Sequence, residues 1–112
     1  MLGRLSNLYG VSGHEGRVRA FIKEQIAPYV QEMRTDAMGN LIVHKPGRGK
    51  RVLLSAHMDE VGMLVRGVTE DGLLAIECAS IDPRVMVSKR VAVGKDDVPG
   101  VIGAKAIHQQ TK

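Results

Sequence analysis

The chain has no tryptophan, and its aromatic residues are two tyrosines, Tyr9 and Tyr29, and one phenylalanine, Phe21. A core must therefore rest on Val, Leu, Ile and Met. Aromatic side chains on which unpaired bases could stack are correspondingly scarce. The single cysteine, Cys78, excludes an intrachain disulfide, so nothing in the sequence asks for an oxidising compartment. Cys78 lies in the apolar run LLAIECA, where a buried, inert thiol is expected. No apolar run is long enough to span a bilayer. The N-terminal residues MLGRLSNLYG lack the apolar block of a signal peptide. These absences lead to the expectation of a cytoplasmic protein with no membrane contact.

What is present is ordinary for a globular protein: 112 residues, 44% hydrophobic and 25% charged, enough for one small domain. The net charge of +4 raises the question of nucleic-acid binding. The densest basic stretch, HKPGRGKR from His44 to Arg51, contains Pro46, Gly47 and Gly49 and reads as a solvated loop. It has no interleaved aromatic residue and no nucleic-acid motif, so no nucleic-acid partner is expected.

Leu2, Leu5, Leu8 and Tyr9 recur at helical spacing and predict a short first helix ending at Gly10. Ser12 and Glu15 then form a capping-box pattern before a second helix. Its apolar stripe is Val18, Phe21, Ile22 and Ile26, and Pro28 should end or kink it. His14, within the capping turn, is expected to be exposed and structural. From Gln31 the period changes to two. Met33 and Thr35 on one side of DAMGN, and Leu41 to Val43 on the other, predict a hairpin.

The run from Arg51 to Ala56 is continuously apolar at Val52, Leu53 and Leu54, the pattern of a central strand covered on both faces. Beyond Gly62 the sequence becomes a series of short β-like pieces. Met63–Thr69 and Leu73–Ala79 predict a second hairpin. Val85–Val87, Val91–Val93 and Val101–Ile107 follow, separated by turn chemistry at Ile81–Arg84 and Lys95–Gly100. Five short strands at this spacing suggest a small barrel or sandwich. The division is thus α/β character over residues 1–62 and all-β character over residues 63–112. One helix and a few strands do not complete an α/β sheet, so the missing strands are expected from another chain or from a longer protein.

The chemistry-bearing cluster is AHMDEVG, Ala56 to Gly62, at the end of the predicted central strand. Ligands gather at the carboxyl ends of strands in open α/β sheets. Imidazole suits zinc, cobalt or manganese. His57 and Asp59, two apart in extended backbone, face the same side, so the carboxylate could orient the imidazole. Glu60 faces the other way, toward backbone. Spacing alone leaves two readings open, a metal site or a polar strand end. A zinc site needs three or four ligands, and neither His44 nor His108 stands at ligand spacing. Asp59 and Glu60 are adjacent, so they make a poor glycosidase pair.

Taken in order, GVSGHEG, DAMGNLIV, VLLSAHMDEVGMLV, IDPRV and VPGVIGAKAIH resemble the M42 family of dinuclear metallo-aminopeptidases, some of which carry an endoglucanase label. The resemblance runs over essentially the whole chain. It implies an incomplete N-terminal part of an α/β peptidase sandwich (residues 1–62), followed by part of a β-barrel oligomerisation domain (residues 63–112). It also implies that His57 is a metal ligand and Asp59 the catalytic aspartate supporting it. Two divalent ions, zinc or cobalt, would complete the family site. Peptides would be the substrates, and homo-oligomers from dimers to dodecamers the assembly. In such enzymes the ions lower the pKa of a shared water, and a glutamate moves its proton to the leaving amine.

The sequence departs from the family pattern in two places. The remaining metal ligands and the glutamate base would lie downstream of Lys112, so the chain alone is expected to lack peptidase activity. Ala79 to Asp82 also differs from the Gly-Gly-Trp-Asp-like run of the family. The competing readings are a non-catalytic interaction module and a glycoside hydrolase.

Overall fold

Val18 and Phe21, three residues apart, are buried on one side of an eleven-residue helix, Gly16–Ile26. That spacing is the reason the segment is helical: one apolar stripe finds cover while Arg17 and Glu24 remain exposed. The computed structural model describes residues 1–78 and 81–105. It divides into two compact units, Met1–Gly62 and Met63–Lys112.

In the first unit, helix α1 covers Leu2–Leu5 and helix α2 covers Gly16–Ile26. The apolar pattern places the end of α1 at Gly10, but the helix stops at Leu5. The Ser6 hydroxyl donates to the Leu2 carbonyl at 3.1 Å, and the chain leaves the helix in turns. Such back-bonding by serine competes with continued helix. Arg4 lies over the Phe21 ring at 5.0 Å from its centroid. Pro28 stands in a 3-10 turn, Ala27–Tyr29, that closes α2 as its ring requires.

Strands β1, Glu32–Thr35, and β2, Leu41–His44, form the expected antiparallel hairpin, with Met33 opposite Val43. Its turn is organised by Asp36, whose Oδ1 accepts from the Met38 and Asn40 amides at 3.0 and 2.9 Å. Asn40 Nδ2 donates to Asp36 Oδ2 at 2.9 Å. Gly39 has φ +86°, a conformation that favours glycine. The hairpin is fastened to α2 by Arg19, whose Nε donates to the Gly39 carbonyl at 2.7 Å.

The predicted central strand at Arg51–Ala56 is not a strand here. No ladder pairs it among the described residues, and Val52, Leu53 and Leu54 are 81%, 89% and 90% exposed. Apolar continuity records a demand for burial. A strand also needs a neighbour to complete its hydrogen bonds, and none of the described residues supplies one.

In the second unit, β3, Met63–Val68, and β4, Leu74–Cys78, pair antiparallel with a register shift between Val65 and Gly67. Cys78, opposite Met63, is half-buried rather than fully enclosed. Strands β5, Arg90–Val93, and β6, Val98–Val101, form a second ribbon. Val85–Val87 is not a strand. Pro83–Val85 is a 3-10 turn capped by Asp82, whose Oδ1 accepts from the Arg84 amide at 3.0 Å, and Met86 behind it is buried. Proline at the start and an aspartate cap favour this turn over extended chain. The last strand begins at Val98 rather than Val101 and includes Pro99. A two-stranded ribbon has outward edges on both sides, where a missing N–H is tolerated. Ala79, Ile107 and His108 lie outside the described residues. Those described form two separate ribbons in this unit, and no ladder joins them.

Candidate metal-ligand site

The site grows from a close passage of two motif segments within the first unit. Val11 and Glu60 form a parallel bridge. The Glu60 amide donates to the Gly10 carbonyl at 2.8 Å, and Glu60 Oε1 accepts from the Gly10 amide at 3.3 Å. Two glycines make the approach possible. A Cβ on Gly10 would lie 2.6 Å from Val18 Cγ2, and one on Gly62 would lie 2.1 Å from Val11 Cγ1. The passage therefore fixes GVSG against DEVG through backbone, with α2 behind.

Asp59 is held between two side chains. Its Oδ2 accepts the Ser12 hydroxyl, and its Oδ1 lies 3.0 Å from His57 Nδ1. The Asp59 carbonyl is also 3.0 Å from Nδ1. The hydroxyl of Ser12, then the imidazole, hold the Asp59 carboxyl below its ordinary 3.8. The His57 side chain is 85% exposed and that of Asp59 38% exposed. A cavity of about 170 Å³ lies beside them, lined by Leu5, Leu8, Val18, Ile22 and the segment His57–Glu60.

His57 and Asp59 are thus brought together on one side, and Glu60 turns to backbone, in the arrangement that their spacing indicates. The two carboxylates serve different partners, so they do not flank a common bond. The Ser12 contact was not legible. Ser12 and Glu15 read as a reciprocal capping box, but neither half of it is seen: Glu15 is itself the N-cap of α2, its Oε1 accepts from the Gly13 amide at 2.6 Å, and the Ser12 hydroxyl goes to Asp59. Backbone donors, with a contribution from Arg19, hold the Glu15 carboxyl below its ordinary 4.5. His14 is exposed, and His44 faces Glu32 at 3.5 Å in the hairpin, remote in sequence and element from this cluster.

With Nδ1 engaged by a carboxylate, Nε2 is the ring nitrogen left to meet a metal, which is how ligating histidines are commonly arranged. Among the described residues, however, no group of three or more His, Cys, Asp or Glu side chains converges. One imidazole fits the role of a ligand; the described residues do not fit a pair of ions on their own.

A model of the M42 glutamyl aminopeptidases matches residues 39–112. The chain belongs to the M42 glutamyl aminopeptidase family. This M42 chain is 40% identical over 74 residues to a putative aminopeptidase of Acetivibrio thermocellus, covering 66% of itself and 22% of the relative. Its fold is shared with a Thermotoga maritima protein described as an endoglucanase, at a TM-score of 0.85 and 44% identity, over 94% of this chain and 34% of that one. It is shared also with the Pyrococcus horikoshii TET1 peptidase, at a TM-score of 0.82 and 36% identity, over 96% of this chain and 33% of that one. The chain therefore spans between 22% and 34% of the length of these relatives.

Proposed function

We propose that this chain is the N-terminal part of a metal-dependent aminopeptidase that releases N-terminal residues from peptides. The observation that carries the reading is the His57–Asp59 pair, a carboxylate-oriented imidazole with its Nε2 available, within an M42 sequence. His57 would supply one ligand to a site for divalent ions, zinc or cobalt, and Asp59 would hold that ligand in position. The other donors and the proton-transferring glutamate would come from residues outside those described. The chain by itself is then inactive.

Residues 1–62 would belong to the catalytic α/β domain. Residues 63–112, with their two ribbons, would belong to a β-barrel that mediates homo-oligomer assembly. The Pyrococcus horikoshii TET1 peptidase, which can assemble into a tetrahedron or a large octahedral shell, supports an assembly of this kind. A cytoplasmic location accords with the single cysteine. Among the described residues no helix is long and apolar enough to cross a membrane.

The name of the Thermotoga maritima relative raises glycoside hydrolysis as a second reading. The separate engagement of Asp59 by Ser12 and His57, and of Glu60 by Gly10, speaks against it. The deciding experiment translates the whole reading frame that holds this sequence and offers it two substrates, an unblocked peptide and a soluble β-glucan. Metal-dependent release of the N-terminal amino acid is expected. Cleavage of the glucan with the peptide untouched would refute the proposal.

A further inference from the structure

The Ser12 hydroxyl is explained neither by helix capping nor by the family reading of the site. It donates to Asp59 Oδ2 across 47 residues of sequence. We propose that Ser12 is a positioning residue for His57, acting through Asp59 to select which imidazole nitrogen carries the proton.

Each oxygen of the Asp59 carboxylate has a different partner: Oδ2 the Ser12 hydroxyl, Oδ1 the His57 Nδ1 at 3.0 Å. An ionised carboxylate only accepts hydrogen bonds, and a backbone carbonyl only accepts. Both Asp59 oxygens near Nδ1, the carboxylate Oδ1 and the main-chain O, therefore require a hydrogen on Nδ1. The neutral ring is then the Nδ1–H form, with the lone pair on Nε2, away from Asp59. Without a partner on Oδ2 the carboxylate could turn about its last torsion, a soft one. Ser12 removes that freedom.

The hydroxyl can do this because its backbone is itself fixed to the segment that carries Asp59. On one side of Ser12, Val11 bridges Glu60, and Gly10 and Glu60 exchange two hydrogen bonds. On the other, the Val11 carbonyl accepts from the His14 amide at 2.8 Å, closing a tight turn before α2. A serine on this tethered turn presents its oxygen to Oδ2 at little entropic cost, since one torsion is fixed rather than a long side chain.

The inference rests on the reading of His57 as a ligand only for its purpose; the tautomer itself exists without any metal. It is therefore tested on the metal-free 112-residue chain, carrying Leu53→Lys and Leu54→Glu throughout to suppress association by the exposed run Val52–Leu54, by long-range ¹H–¹⁵N correlation spectra of the histidine rings in mildly alkaline buffer. With Ser12 in place, His57 is expected to be mainly Nδ1–H. Ser12→Ala should lower the ratio of Nδ1–H to Nε2–H by about threefold or more, the scale of one partly exposed hydrogen bond. Ser12→Thr, which keeps the hydroxyl, should restore it. Ser12→Ala placed on Asp59→Ala should change nothing further. The amide shifts of Val18 and Phe21 verify that each variant is folded. An unchanged ratio in folded Ser12→Ala would overturn the proposal, as would a further change in the double variant. Should the tautomer respond as expected while zinc fails to perturb His57 in the full-reading-frame protein, it is the aminopeptidase reading that falls, and the role of Ser12 stands.

Discussion

Gly10 and Glu60 hold each other at two points. The Glu60 amide donates to the Gly10 carbonyl at 2.8 Å, and the Gly10 amide donates to Glu60 Oε1 at 3.3 Å. This reciprocal pair joins residues fifty positions apart and brings Ser12 to Asp59. On the role proposed for Ser12, the orientation of His57 depends on these two contacts, one between backbones and one to the Glu60 side chain.

The close passage depends on missing side chains. A Cβ at Gly62 would sit 2.1 Å from Val11 Cγ1 and 2.9 Å from Val11 Cβ. Val11 is β-branched and has little rotamer freedom with which to withdraw. Gly62→Ala is expected to destabilise the first unit by about 1–3 kcal/mol. Gly47→Ala, with no atom within 4 Å, is the control. Urea unfolding followed by the amide signals of α2 measures the difference. Equal midpoints for the two variants would contradict the close packing.

Gly39 offers a similar test in the hairpin. Its φ is +86°, and a Cβ there would lie 2.8 Å from Arg19 Nη2. Gly39→Ala is expected to cost about 1 kcal/mol or more through backbone strain and to displace the Arg19 clamp. Faster hydrogen exchange at the Asn40 and Asp36 amides would report it. Unchanged exchange would show that the turn does not need the left-handed conformation.

Acid should loosen the same turn. Hydrogen bonds from the Asn40 side chain and amide, joined by the Met38 amide, hold the Asp36 carboxyl below its ordinary 3.8. A carboxyl depressed in the folded state contributes stability that is present above its unfolded value and lost as the pH falls through its folded one. The turn amides should therefore lose protection only below pH 3.8. Asn40→Ala should move the Asp36 titration, read by its side-chain carbon shift, upward toward 3.8. An unmoved titration would remove Asn40 as the main cause.

The helix stripe at Val18 and Phe21, the hairpins on either side of DAMGN and of the Glu70–Gly72 turn, and the facing of His57 and Asp59 were all legible in the sequence, because each is a local periodicity or a spacing of two. The Ser12–Asp59 contact was not, since serine before a helix has a local use, as a cap, and nothing in the pattern names a distant competitor. The run Val52–Leu54 was legible as apolar but not as unpaired, because periodicity reports what a segment would bury and says nothing of what arrives to cover it. Pro99 discouraged a strand that an edge position permits.

That exposed run has a consequence in solution. Val52, Leu53 and Leu54 are exposed together, next to Arg51. Contiguous apolar chain without a covering partner promotes association. The isolated chain is expected to self-associate or to bind a hydrophobic dye. Substituting Leu53→Lys and Leu54→Glu should reduce both while leaving α2 intact. A sharp, concentration-independent melt of a wild-type monomer would contradict this.

The central claim, that His57 is a ligand of a metal-dependent aminopeptidase site completed by residues outside those described, is tested most directly by peptide hydrolysis with added zinc or cobalt. The full-reading-frame protein and its His57→Ala variant are compared on an unblocked peptide and its N-acetylated form, with the 112-residue chain alongside. The expected result is metal-dependent release from the unblocked peptide alone, reduced about a hundredfold or more by His57→Ala, and no turnover by the 112-residue chain. Full metal-dependent activity in the His57→Ala variant would contradict the account.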